Sequence, residues 1–271
     1  MRAIHAQSLW ASALQLPKTR CMLNTVFYDA PQGAADRRPL LIAHGLFGSA
    51  RNWNVIAKRL SATRPVITVD MRNHGASPWF DTNSYLDMAA DLAQVLRGPT
   101  DVLGHSMGGK AAMVLALTRP ELVGKLIVAD IAPVDYQTID LSPLEAMKSV
   151  DLSQVTRRAD AGAQMHGLDA GLVSFLLQSL DLKNKRWVLN LDVLEAEMGA
   201  IRGWPDVQGR FDGSTLFLSG GASDYVQHSH RAAIKALFPN ARFAKIPDAG
   251  HWLHAEKPRE FEASVEAFLE M

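Results

Sequence analysis

Residues 104–108 read Gly-His-Ser-Met-Gly, with a short apolar run before them at 102–103 and a long apolar helical pattern after. A serine between two such glycines, where a strand turns into a helix, is a nucleophile held in strained backbone. Side chains two residues to either side would strike the neighbouring strand and helix. The helix N-terminus behind Ser106 offers free N–H groups and the positive end of a dipole to a developing oxyanion. A serine hydroxyl attacks poorly at neutral pH and needs a base beside it. Among the nine histidines, His251 is the best placed, after Gly250 and beyond the last expected strand. His254, three residues on, is a poorer candidate. The imidazole in turn needs a carboxylate to fix its tautomer and stabilise its charged form. Two aspartates could supply it. Asp130 closes the strand after the serine's helix, and Asp224 ends the loop Gly221-Ala222-Ser223-Asp224 after the following strand. The chemistry these residues suit is acyl transfer through a covalent serine intermediate.

The elements that must position them alternate along the chain. Apolar runs at 23–28, 39–43, 65–69, 101–105, 126–129, 215–218 and 241–246 predict strands. Helical spacing appears at 52–60, 85–96, 107–117, 229–237 and 259–269. In the 85–96 helix, Leu86, Ala89, Ala90, Ala93 and Leu96 form the expected inner face. Strand–helix alternation predicts a mostly parallel sheet with helices on both faces, its first strand antiparallel. Residues 134–210 break the pattern. They hold no clear strand run but have helix-like stretches at 143–150, 152–161, 171–180 and 193–201, too long and too structured for a loop. The expected organisation is an N-terminal extension at 1–21, a core domain formed by 22–133 and 211–271, and a small helical cap at 134–210. Ligands of open parallel sheets bind beyond the carboxyl ends of the strands. His44, Asp70, Ser106, Asp130, Asp224 and His251 all fall in that zone.

Four motifs in order carry a resemblance. HGLFG at 44–48, the GHSMG turn and Gly250-His251 together resemble the α/β-hydrolase superfamily. Within it, MRNHGASP at 71–78, GHSMGGK at 104–110, DIAPVDY at 130–136 and GHWLHAEKP at 250–258 are similar to the bacterial YbfF-type esterases, themselves similar to eukaryotic ABHD-type hydrolases. The resemblance runs from Leu40 to the C-terminus and is loosest in the cap. It implies an α/β-hydrolase fold with the cap inserted after the sixth strand, and a cofactor-free serine hydrolase. Its substrates would be small-molecule carboxylic esters or thioesters. Ser106 would be the nucleophile and His251 the base, with an oxyanion hole formed by the N–H groups of Leu46 and Met107. The esterase group implies Asp130 as the acid. Asp224 matches the more widespread G-x-x-D placement and remains the alternative. His44 is expected to shape the oxyanion turn, and His105 to pack behind the site. Arg72 and Asn73 lie in the loop after Asp70, where a charged residue is expected to be solvated. Other reactions of the same machinery are C–C bond hydrolysis and cofactor-free perhydrolysis. A ligand receptor on the same fold is the non-enzymatic alternative.

Composition excludes several other classes. Hydrophobic residues are 48% of the 271 and charged residues 21%, so a large core can be buried. Lys+Arg and Asp+Glu both number 28, which argues against nucleic acid or an anionic membrane as a partner. No apolar run is long enough for a membrane span. Cys21 is the sole cysteine, which fits a reducing, cytoplasmic setting. Residues 1–21 carry Arg2, Lys18 and Arg20 but lack the long apolar stretch and arginine density of a targeting segment. No metal-ligand spacing is present. Gly104, Gly109 and Lys110 nearly match a P-loop, but Ala111 stands where the Mg²⁺-binding hydroxyl belongs. In the cap, Met147, Met165, Phe175, Leu176, Trp187 and Trp204 supply apolar surface, for the cap's own core or for a substrate.

Overall fold

The computed structural model describes residues 23–138 and 140–271. The extension expected at 1–21 lies outside the described residues. The strands are β1 (Thr25–Tyr28), β2 (Leu40–Ala43), β3 (Val66–Val69), β4 (Thr100–His105), β5 (Val123–Ala129), β6 (Leu180–Asp181), β7 (Arg186–Trp187), β8 (Thr215–Gly220) and β9 (Ala241–Ile246). Seven of them make one sheet in the order β1-β3-β2-β4-β5-β8-β9. Only β1 runs antiparallel, pairing Thr25 with Val69 and Tyr28 with Val66. β2 and β3 are buried at every position because both faces of the sheet are covered, and Thr68 is the one polar residue in the pair.

Successive strand residues point to opposite faces, and the core divides accordingly. Leu40, Ile42, Val66, Leu103 and Ile127 pack on one side beneath α1 (Asn54–Leu60) and the C-terminal helix Pro258–Glu270. Leu41, Ala43, Val69, Val102 and Val128 face the other side, against α2 (Tyr85–Val95) and α3 (Met107–Thr118). The inner face of α2 differs from the expected one. Tyr85, Met88, Leu92 and Val95 are buried, while Leu86 is 52% exposed and Ala90 lies outward. A charged residue set the phase. Asp91 is buried on the inner face because Arg72 grips it through Nε and Nη2, at 2.6 and 3.2 Å.

Between β5 and β8 lie α4 (Ser142–Ser149), α5 (Arg158–Gly162), α6 (Ala170–Leu176), α7 (Leu191–Ala196) and α8 (Met198–Arg202). The insertion follows the fifth strand rather than the sixth. Five strands, β1 to β5, precede it among the described residues, matching the five apolar runs before residue 134. It also contains a strand pair that the sequence did not reveal, β6 with β7. Two-residue strands are too short to leave a periodic pattern. The helix expected over 152–161 is split, with a 3₁₀ turn at Leu152–Gln154 ahead of α5. Met147, Met165, Leu176, Trp187, Leu194 and Ile201 join the same apolar cluster as the α2 and α3 face of the sheet. The insertion is therefore seated on the core rather than folded around a separate one.

Candidate active site

The order of strands creates the crevice. The chain leaves β2 for β3 on one side and returns to β4 on the other, so the connections after β2 and β4 diverge. Ser106 follows β4 at this point, opposite the 44–48 turn that follows β2. Its φ of 52° and ψ of −119° lie in a region that L-residues rarely occupy. Its N–H donates to the Ala129 carbonyl at 3.0 Å, and its carbonyl accepts from Lys110 N at 3.1 Å at the start of α3. A Cβ on Gly104 would come within 2.2 Å of the Gly108 carbonyl oxygen, so the turn closes only with glycine there.

His251 comes from the loop after β9 and must cross the end of β8 to reach Ser106. That crossing needs bare backbone, since a Cβ on Gly220 would sit 2.3 Å from the Gly250 carbonyl oxygen. Ser106 Oγ lies 3.0 Å from His251 Nε2. On the far side of the ring, Nδ1 lies 2.7 Å from Asp130 Oδ2. The Asp130 carboxylate is fully buried. Its Oδ1 accepts the Gly220 N–H at 3.0 Å, and the Ser223 hydroxyl donates to its Oδ2. The Tyr225 ring stacks on His251, with centroids 3.9 Å apart and planes 19° from parallel. Asp224 is exposed, and its backbone carbonyl accepts from Gln227 Nε2. No hydrogen bond among the described residues joins its carboxylate to His251. The turn at 220–225 thus points Ser223 and Tyr225 into the site and Asp224 out of it.

Two buried histidines shape the turn that carries Leu46. His44 Nδ1 donates to the Gly45 carbonyl at 2.7 Å, and its Nε2 accepts Met71 N–H at 2.9 Å. His74 Nδ1 donates to the Arg72 carbonyl at 2.7 Å, and its Nε2 accepts Phe47 N–H at 3.2 Å. Each ring therefore acts once as donor and once as acceptor, which only a neutral imidazole can do. Burial lowers the pKa of both, that of His74 to about 3. Asp70 braces the same loops by accepting from the N–H groups of Ala50 at 2.7 Å and Ala76 at 2.9 Å. The N–H groups of Leu46 and Met107 donate to no other group among the described residues. Both residues line a small cavity with Ser106.

His105 sits behind the site, donating from Nε2 to the His251 carbonyl at 2.8 Å. Burial holds it well below the ordinary histidine range. His254 stacks on Trp53, with centroids 4.2 Å apart. Burial lowers its pKa to about 3, and its Nδ1 has no partner among the described residues. No hydrogen bond among the described residues joins it to Ser106, which His251 faces. Arg72 and Asn73 are buried rather than solvated. Arg72 pairs with Asp91, and Asn73 Nδ2 donates to the Thr82 carbonyl at 3.0 Å. A charged loop residue reads as solvated until its buried partner is known.

Lys110, one turn into α3, is buried and donates to the carbonyls of Val134, Arg202 and Gly203 at 2.9, 2.9 and 2.6 Å. These three lie where the chain leaves for the insertion and where it comes back. Burial pushes the amine down to about 7. The near-match to a P-loop thus contains a lysine that ties the insertion to the helix behind Ser106. Of the six apolar residues singled out at 134–210, Phe175 lines the 240 Å³ cavity over Ser106, together with Leu172 and Trp252. Met147, Met165, Leu176 and Trp187 are buried in the core, and Trp204 packs against it. Sequence reasoning missed His74, Tyr225, Leu172 and Trp252. His74 carried a signal, since it lies in the same motif as Arg72 and Asn73. Trp252 carried one too, as the neighbour of His251 in the GHWLHAEKP motif, whereas Leu172 and Tyr225 are ordinary residues that only folding brings to the serine.

A serine on a tight turn at the switch point of a parallel sheet, facing a histidine carried beyond the last strand, defines an α/β hydrolase. Residues 40–264 match the alpha/beta hydrolase family, and the chain belongs to it. It is 41% identical over 258 residues to the sn-1-specific diacylglycerol lipase ABHD11 of Mus musculus, covering 89% of this chain and 84% of that protein. It is 38% identical over 245 residues to esterase YbfF of Escherichia coli K12, covering 88% of this chain and 95% of that protein. The solved structure of a marine microorganism esterase matches with a TM-score of 0.85 at 36% identity, over 92% of this chain and 100% of that one. With relatives named esterases and lipases, the chain is a carboxylic ester hydrolase.

Proposed function

We propose that this enzyme cleaves carboxylic esters or thioesters through a Ser106–His251–Asp130 triad and an acyl-enzyme intermediate. The observation that carries this reading is the line of hydrogen bonds from Ser106 Oγ through both ring nitrogens of His251 to the buried Asp130 carboxylate. In the first step Ser106 Oγ bonds to the acyl carbon while its proton passes to His251 Nε2. Asp130 stabilises the imidazolium across its 2.7 Å contact. The oxyanion is held by the N–H groups of Leu46 and Met107, donors of a kind worth roughly 3–4 kcal/mol each where one was removed from another enzyme. His251 then gives its proton to the leaving alcohol or thiol. A water attacks the acyl-enzyme by the same route in reverse, releasing the acid and restoring Ser106. Residues 134–210 act as a cap over this centre, held by Lys110. No helix of the described residues is long and apolar enough to cross a membrane. The single cysteine supports placement in a reducing compartment such as the cytoplasm.

The test is Ser106→Ala. Hydrolysis of p-nitrophenyl esters should fall by roughly 10⁶-fold, the loss seen when a serine protease loses its nucleophile. Labelling by a fluorophosphonate should vanish, with the circular dichroism unchanged. Undiminished turnover by the folded variant would remove Ser106 from the mechanism.

A further inference from the structure

The cavity over Ser106 holds 240 Å³, less than the roughly 300–1,000 Å³ usual for small-molecule sites. Beside it, between α6 and the loop beyond His251, lies a second cavity of 520 Å³. Asn52, Leu172, Phe175, Trp252 and His254 line both and so form the wall between them. Parts of this wall are fixed. His254 is buried and stacked on Trp53, and Asn52 Nδ2 donates to Gln178 Oε1 at 2.9 Å. The aromatic pair is held more loosely. Trp252 is 38% exposed, Phe175 is half-buried, and their ring centroids stand 6.3 Å apart at 49°. Phe175 also sits on a helix of only seven residues.

We infer that the second cavity is an acyl-binding extension of the active site, and that Phe175 determines how far a substrate chain can enter it. This deepens the esterase reading and rests on it. Leu172, Phe175, Trp252 and Ala255 give the extension an apolar side along which an acyl chain can lie, while Arg51, Ser174 and Gln178 line its polar side. Two of its acidic residues are already engaged. Asp169 caps α6 by accepting Leu172 N–H at 2.9 Å, and Glu256 accepts Gly250 N–H at 2.7 Å. With Phe175 in place, the acyl group is confined to the smaller cavity, and short chains are preferred. With the ring removed, the two volumes join. Each methylene then newly buried is worth up to about fourfold in affinity for the site.

The experiment measures kcat/KM of the full chain on p-nitrophenyl esters from acetate to palmitate, for wild type, Phe175→Ala and Phe175→Leu, with a thermal melt for each. The wild type should be best on short chains. Phe175→Ala should raise the decanoate-to-butyrate ratio at least tenfold, and Phe175→Leu should move it less in the same direction. A merely structural role would lower all chain lengths together and leave the ratio alone. An unchanged ratio in a folded variant that still turns over butyrate would overturn the inference while the esterase reading stands. A wild type that hydrolyses no ester and takes no fluorophosphonate label would overturn both.

Discussion

Replacing Asp130 by Asn changes one atom in a fully buried group whose neighbours decide how the amide must sit. Oδ1 accepts from the Gly220 N–H, while Oδ2 faces His251 Nδ1 at 2.7 Å and the Ser223 hydroxyl. Keeping the amide oxygen on Gly220 turns its NH₂ toward His251. Nδ1 must then accept, the proton moves to Nε2, and the ring presents a donor to Ser106 in place of the base. Flipping the amide would restore the tautomer but set two donors face to face at Gly220. That costs about 1–3 kcal/mol for a buried unsatisfied group, and the negative charge that steadies the imidazolium is still lost. The corresponding change in a serine protease lowers kcat about 10⁴-fold. A loss of roughly 10³–10⁴ is expected here, or about 4–5.5 kcal/mol in the barrier. Asp224→Asn, on an exposed carboxylate with no bond to the histidine, should stay within about twofold of wild type. The assay is kcat on p-nitrophenyl butyrate for both single variants and the double variant, with melting temperatures alongside. A large loss at Asp224 with near-normal activity in Asp130→Asn would refute the reasoning and move the acid to the G-x-x-D position.

The buried histidines make the fold sensitive to acid. His44, His74, His105 and His254 all have lowered pKa values from burial, His74 and His254 to about 3. Below the ordinary value of about 6.5 the unfolded chain takes up protons that these rings refuse. Their contribution is complete above pH 6.5 and fades as pH falls toward 3. At pH 5, His74 and His254 should each cost about 2 kcal/mol of stability, with His44 and His105 acting in the same direction. Urea unfolding at pH 7.5 and pH 5 checks this, and equal midpoints would contradict it. Lys110→Met should leave three carbonyls without their donor. At about 1 kcal/mol or more apiece, the loss of roughly 3 kcal/mol should lower the melting temperature by about 6–12 °C. A melt within two degrees or so of wild type would show that the tie carries little.

The sheet strands and their direction were legible because their signals are local. Leu40–Ala43 reads as a buried strand from four adjacent apolar residues, and Val66–Val69 from three with the β-branched Thr68 among them. Ser106 was legible for the same reason, since the glycines that permit its backbone stand two residues away in the chain. The phase of α2 was not legible. It depends on an ion pair between Asp91 and Arg72, nineteen positions apart. Which aspartate faces His251 was only partly legible: the DIAPVDY motif implied Asp130, while the G-x-x-D spacing kept Asp224 as the alternative. The fold separates them by turning Ser223 inward, so that its hydroxyl meets Asp130 while its neighbour Asp224 points to solvent.

By itself, then, the sequence determined the fold class, the order of the elements and the serine turn. Each follows from neighbours along the chain, whose covalent spacing sets periodicity and allowed backbone angles. Only the tertiary structure decided which carboxylate reaches the imidazole, which insertion residue faces the serine and how Lys110 is spent. Those are contacts between segments far apart in the chain, and their partners become defined only when the sheet has closed and excluded water around them.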